Sequence, residues 1–257
     1  MKSSEIRYAL RKILLATSSY KRSSEKLVCF CPVKGAAVDG RLMLVGRAVH
    51  GWHPSFKVSD LGKKRETLLE NTIAFSSSVP DPIMHLHNVW RKPSDQKQCN
   101  PARSSFWSVA RAVLKEFGPD ENPLSHLYWT NLYKISPHVG RNPSLSLCKL
   151  QGPACQEMLG VEIKLLEPQR ILFLTGAWWA NPFLRALKFA PRLVGTYSHV
   201  HQTGYLRLES GELCSVVVAD HPERKKRSVI GAEILDAFYK LSIKPETGAA
   251  VNWQMRS

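Results

Sequence analysis

The sequence predicts an α/β protein, a three-layer sandwich whose short central, mainly parallel sheet of about four strands carries helices on both faces. Four short apolar runs bounded by turn residues read as strands buried on both sides, the habit of a parallel sheet. Longer segments between them repeat apolar residues at helical spacing. A chain of 257 residues, 44% hydrophobic, is long enough to enclose one substantial core.

The elements follow in order. SEIRYALRKILLAT (4–17) reads as a basic amphipathic helix, and residues 1–40 as a basic helical extension packed on the core. The seven Lys or Arg and two Glu of residues 1–28 would also suit a mitochondrial targeting segment, but the helix accounts for the same residues. The first strand is RLMLVG (41–46), followed by a helix at KKRETLLENTIAF (63–75). The loop RKPSDQKQCNPARSS (91–105) is rich in turn residues and reads as a surface segment. In SSFWSVARAVLKEF (104–117), Phe106, Val109, Ala110, Val113, Leu114 and Phe117 line one helical face. LYWTNLYKI (127–135) is the second strand and PACQEMLGVEIKLLEP (153–168) the next helix. RILFLTG (170–176), AWWANPFLRALKF (177–189), LCSVVVAD (213–220) and KRSVIGAEILDAFYKL (226–241) complete the alternation.

Lys plus Arg number 36 against 21 Asp plus Glu, a net charge of +15, which favours a polyanionic partner such as DNA. No apolar run is long enough to span a membrane. The six cysteines include no CxxC pair, and a core of this size needs no disulfides, so a reducing cytoplasm is expected, with the nucleoid or nucleus as the place of work.

Ligands of parallel sheets bind at the carboxyl ends of the strands. There the sequence delivers GRAVHGW, NLYKISPHVGRNP, GAWW and DHPERKK. Gly46 is either a turn glycine or a place where backbone approaches a ligand. His50 and His53 have metal-ligand character, but no carboxylate or cysteine cluster completes a site, so no metal is expected. Asn131, inside an apolar strand, must find hydrogen-bond partners or destabilise the fold; its amide could tie loops together or match the edge of a pyrimidine. His221 is followed by Arg224, Lys225, Lys226 and Arg227, a run suited to phosphate contact or simply to a solvated helix start. Trp178 and Trp179 read as core or rim packing, and Phe75 as core or ring-stacking.

These segments, in this order, resemble the uracil-DNA glycosylase superfamily over roughly residues 40 to 240. LYWTNLYKISPHVGRNPSLSLCKLQGPACQEMLGVEIKLLEPQRILFLTG (127–176) is similar in layout to the superfamily's strand with its Asn, Arg-Asn-Pro turn, helix and following strand. VVVADHPER resembles the last strand with its His-Pro, LMLVGRAVHGW occupies the place of the first motif, and Phe75 in IAFSSSVP resembles the aromatic that stacks on the flipped base. The resemblance implies that residues 41–245 form one glycosylase-like domain, acting as a monomer on DNA without a cofactor. Asn131 would read the pyrimidine edge, and His221 would stabilise charge on the departing base. Gly46, Arg47, Ala48 and His50 would cup the base, while Arg141, Arg224, Lys225 and Lys226 would hold phosphates.

The departures carry information too. Where the superfamily usually has an acidic or amide residue to position water, this chain has Arg47 and Ala48, and a guanidinium cannot act as a base. His50, Asp60 and Asp81 are the alternatives, with Asp81 assigned to the catalytic set. The first motif also lacks the proline-tyrosine pair resembling a thymine-excluding gate, which implies a pocket for uracil or, rather, a bulkier modified pyrimidine of the kind found in some phage DNA. Repair or phage defence would be the setting. The iron-sulfur branch has a Lys-Cys pair where this chain has Lys134-Ile135, so no cluster is expected. A DNA-binding module that kept the fold without the chemistry is the alternative; a small-nucleoside hydrolase fits the charge poorly.

Overall fold

The computed structural model describes residues 3–22, 24–49, 54–77, 104–117, 122–139 and 142–243. Among them are six α-helices: α1 (Ser3–Thr17), α2 (Leu61–Ser77), α3 (Ser105–Phe117), α4 (Leu145–Leu166), α5 (Ala177–Ala186) and α6 (Arg227–Ser242). The strands are β1 (Lys26–Cys29), β2 (Val33–Lys34), β3 (Leu42–Gly46), β4 (Ser55–Lys57), β5 (Leu127–Asn131), β6 (Ile135–Pro137), β7 (Arg170–Leu174), β8 (Ala190–Pro191), β9 (Val200–Arg207) and β10 (Leu213–Ala219).

Seven strands form a mixed sheet in the order β2-β5-β3-β7-β10-β9-β8. Its centre, β5-β3-β7-β10, is parallel throughout and consists of the four strands anticipated from the apolar runs. Antiparallel β2 flanks one side, and β9 and β8 the other, so the sheet is wider than the four or so strands expected. β1, β4 and β6 make a second, antiparallel sheet.

Neighbouring residues of each central strand point to opposite faces, and each face has its own hydrophobic cluster. Met43, Val45, Ile171, Phe173, Val216 and Val218 pack with residues of α1, α2, α4 and α5. Leu42, Leu44, Leu172, Leu174, Val217 and Ala219 pack with α3 and α6. Burial on both faces is why these strands read as continuous apolar runs. α1 gives Ile6, Ala9, Leu10, Ile13 and Leu14 to the first cluster. It is tied at its outer face by Arg7 to Glu70, Arg11 to Glu66 and Lys12 to Glu157. With β1 and β2 following, the described part of residues 1–40 runs through both sheets.

Two boundaries differ from expectation. The run LYWTNLYKI breaks after Asn131, and its last residue opens β6 in the small sheet. α4 starts at Leu145 rather than at Pro153: Ser144 caps it by accepting from the Leu147 N–H at 3.3 Å. Pro153 lies on the exposed side of the helix, where the carbonyl one turn back can turn to water. Among the described residues no helix is long and apolar enough to cross a membrane.

Candidate functional site

The parallel strands bring Asn131, Gly46, Leu174 and Ala219 to one edge of the sheet. Chain connections leave β3 towards β5 and β7 towards β10, so the order reverses between β3 and β7. Reversal of this kind opens a crevice at the carboxyl ends. Arg47 bridges it, donating from Nε to the Thr175 carbonyl at 2.7 Å.

On the β5 side, register pairs Gly46 with Asn131. A Cβ built on Gly46 would lie 2.3 Å from Asn131 Oδ1, so the amide lies across the glycine and a larger residue would have to displace it. Asn131 is 2% exposed, and its Nδ2 is buried with no hydrogen-bond partner. Such a donor destabilises the ligand-free fold by about 1–3 kcal/mol. The turn beneath is fixed by backbone bonds from Leu132 N to Gly46 O (2.8 Å) and from Tyr133 N to Arg47 O (3.0 Å). It is also held from below. Lys134 donates from Nζ to the Asn131 carbonyl and to Thr130 Oγ1, both at 2.6 Å, and pairs with Glu162 Oε1 at 2.7 Å. Both members of the pair are fully buried. Burial pushes the Glu162 carboxyl up, against the pull of the Lys134 ammonium. Gln151 of α4 completes the support, exchanging two hydrogen bonds with the backbone of Ile135 (2.7 and 2.9 Å).

On the β10 side, His221 follows the strand end, and its ring stacks on Phe106 of α3 at 6.2 Å between centroids and 28° between planes. Phe106 also lies 3.5 Å from a Cβ built on Gly46, so Gly46, Asn131, Phe106 and His221 meet. The Glu223 N–H donates to His221 Nδ1 at 3.4 Å, which places the proton of a neutral ring on Nε2. Beside it, Asp220 accepts from His199 Nδ1 (3.1 Å), His201 Nε2 (2.8 Å) and Lys225 Nζ (2.6 Å). Burial alone would push the Asp220 carboxyl up, but Lys225, His201 and His199 together hold it well below the usual carboxylate range.

Arg47 is half-buried, which pulls its guanidinium down from the usual value while Asp220 and Glu223 act the other way. Its guanidinium lies 5.7 Å from the Trp179 ring centre. Ala48 packs against the first hydrophobic cluster. Phe75 projects from the last turns of α2, 36% exposed. Arg224 has a left-handed backbone, φ 60°, and is exposed with Lys225 and Lys226. His50, Asp81 and Arg141, and with them His53 and Trp52, lie outside the described residues. Asp60 caps the turn before α2, accepting from the Lys57 N–H at 3.0 Å. Among the described residues no three His, Cys, Asp or Glu are grouped as metal ligands.

Sequence reading placed Gly46, Arg47, Asn131 and His221 at the shared edge. It missed Phe106 as a neighbour of His221, because the residue satisfies the apolar stripe of α3 equally well. It also missed the His199, His201 and Asp220 group, which depends on β9. Lys134 did leave a signal, a lysine inside an otherwise apolar run. No model of a known protein family matches this chain, and no curated protein matches it significantly.

Proposed function

We propose that the protein is a DNA N-glycosylase that extrudes a pyrimidine from the base stack and hydrolyses its bond to the sugar, leaving an abasic site. The observation that carries the reading is the Asn131 amide. A buried side chain with an unpartnered Nδ2, laid across a glycine at the sheet edge, is a donor and acceptor pair awaiting a planar partner of the same kind. The motif resemblance and the net charge of +15 point the same way.

In this reading Asn131 pairs with the edge of the extruded base, and the Gly46 to Ala48 backbone cups it. Phe75 stacks on its face, as the motif resemblance implies, and Phe106 lies beside His221. Water adds to the sugar's anomeric carbon as the bond to the base nitrogen breaks. The electron pair leaves with the base and spreads onto its carbonyl oxygen. His221 Nε2–H donates to that oxygen, stabilising the charge as an oxyanion hole does. The proton released by the water passes to solvent. His50, Asp60 and Asp81 are the candidates for positioning the water, and Arg141, Arg224, Lys225 and Lys226 hold phosphates. The absence of the proline-tyrosine pair favours a modified pyrimidine over uracil, in phage defence or repair.

Purified protein incubated with oligonucleotides bearing uracil, hypoxanthine or thymine mismatches, and with phage DNA of unmodified and modified cytosine, tests this. Alkaline cleavage reveals abasic sites. The expected result is strand cleavage with one substrate class, lost in His221→Ala. Efficient release of plain uracil would sink the bulky-base preference.

One observation favours a second reading, a DNA-binding module without chemistry. The residue after Gly46 is an arginine whose side chain is committed to Thr175 rather than to water. Tight, salt-sensitive binding with no cleavage of any substrate would establish it.

A further inference from the structure

Trp178 opens α5 directly after β7, at the crevice where the strand order reverses, and is 63% exposed. A single exposed tryptophan needs no explanation on its own. What distinguishes this one is its backing. Its ring meets Trp179 edge to face at 4.8 Å and 88°. Trp179 packs in turn on Tyr133 at 5.7 Å, close to the turn that presents Asn131, and faces the Arg47 guanidinium. The indole is therefore braced through two rings from the residues that bridge the crevice. Gly176, with φ 79°, lets the chain turn sharply from strand to helix, and its N–H bonds to the Ala219 carbonyl at 2.8 Å, fixing the turn to the strand that leads to His221. The indole thus packs on one braced ring and leaves most of its surface open.

We propose that Trp178 is a stacking platform for an unpaired nucleobase beside the extruded nucleotide, an assignment that rests on the DNA-binding part of the proposed function. When a nucleotide leaves the stack, its neighbours lose a π-face partner, and an exposed indole at the carboxyl edge of the sheet replaces it. A nucleobase is the occupant that fits the surroundings. The protein carries +15, and the loop with exposed Arg224, Lys225 and Lys226 follows from the same edge, so a polyanion would be drawn there while its bases face the ring.

The test uses the full chain and two fluorescein-labelled single strands of equal length, one of thymidine and one built of abasic sugar-phosphate units. Both present the same phosphates, and only the first has bases. Fluorescence anisotropy is expected to show wild-type protein binding the thymidine strand about ten-fold more tightly. Trp178→Ala should bind both strands alike, with its salt dependence unchanged because no phosphate contact is lost. Trp178→Phe should keep most of the preference. A thermal melt of each variant confirms folding. A base preference that survives in Trp178→Ala, or a loss in that variant equal on both strands, overturns the proposal. Base release is scored separately. Trp178-dependent preference in a chain that excises nothing sustains the platform and removes the glycosylase reading, while active excision with Trp178-independent binding does the reverse.

Discussion

The two sides of the crevice are built by opposite means. On the β5 side Asn131 is held by a dry, fully buried ion pair beneath it. On the β10 side His221 sits beside a partly exposed carboxylate gathered by two histidines and a lysine. Burial makes the first arrangement rigid and intolerant, since each buried group depends on its partner for compensation. Solvent screens the second, so it can lose a member cheaply and adjust its charge.

The largest break in this contrast is expected from Lys134→Met, which strands Glu162 in the core. Urea melts should show a loss of about 3–5 kcal/mol. The double variant Lys134→Met, Glu162→Leu should recover most of that, because the desolvated charges disappear together. Next comes Gly46→Ala. Its new methyl falls on the Asn131 amide, so a loss of about 1–3 kcal/mol is expected in the same melts.

Asp220→Asn tests the opposite side, with a smaller loss of about 1 kcal/mol at neutral pH. The folded carboxyl titrates below its unfolded value, so its contribution is present above about pH 4 and fades as pH falls further. Melting temperatures of wild type and variant should therefore converge progressively as pH falls below about 4. The smallest effect is an expected absence of reaction. Cys31 and Cys148 are pushed by burial to about 11 and Cys155 to about 12, and Cys29 and Cys214 are buried as well. In a Cys99→Ser background the native chain should show no rapid labelling by a thiol reagent at pH 8, and rapid labelling of these five once denatured. A fast thiol among Cys29, Cys31, Cys148 and Cys155 would mean that the β5 side is wetter than its packing indicates.

The four central strands were legible because burial on both faces leaves a continuous apolar run. β9 was not, since it alternates polarity irregularly around His201, Gln202 and Gly204 and is fixed by pairing with β10 rather than by its own pattern. Nor was the start of α4, where an interior proline mimicked a first-turn proline. For the site, residues lying directly after strands could be placed from order alone. Phe106 and Glu162 reach the same region from helices distant in sequence, and only tertiary packing selects them from their apolar neighbours. Trp178 was read as packing together with Trp179. The structure separates the two, burying one side of Trp179 and leaving Trp178 largely in water.

The contact between Gly46 and Asn131 also couples the two positions under substitution. A side chain at the first position falls on the amide at the second, so a larger residue at 46 carries a penalty that a smaller residue at 131 would relieve. Residues outside this pair, among them those on α3, can vary without meeting that penalty. A substitution at 46 is therefore best tolerated when 131 changes with it.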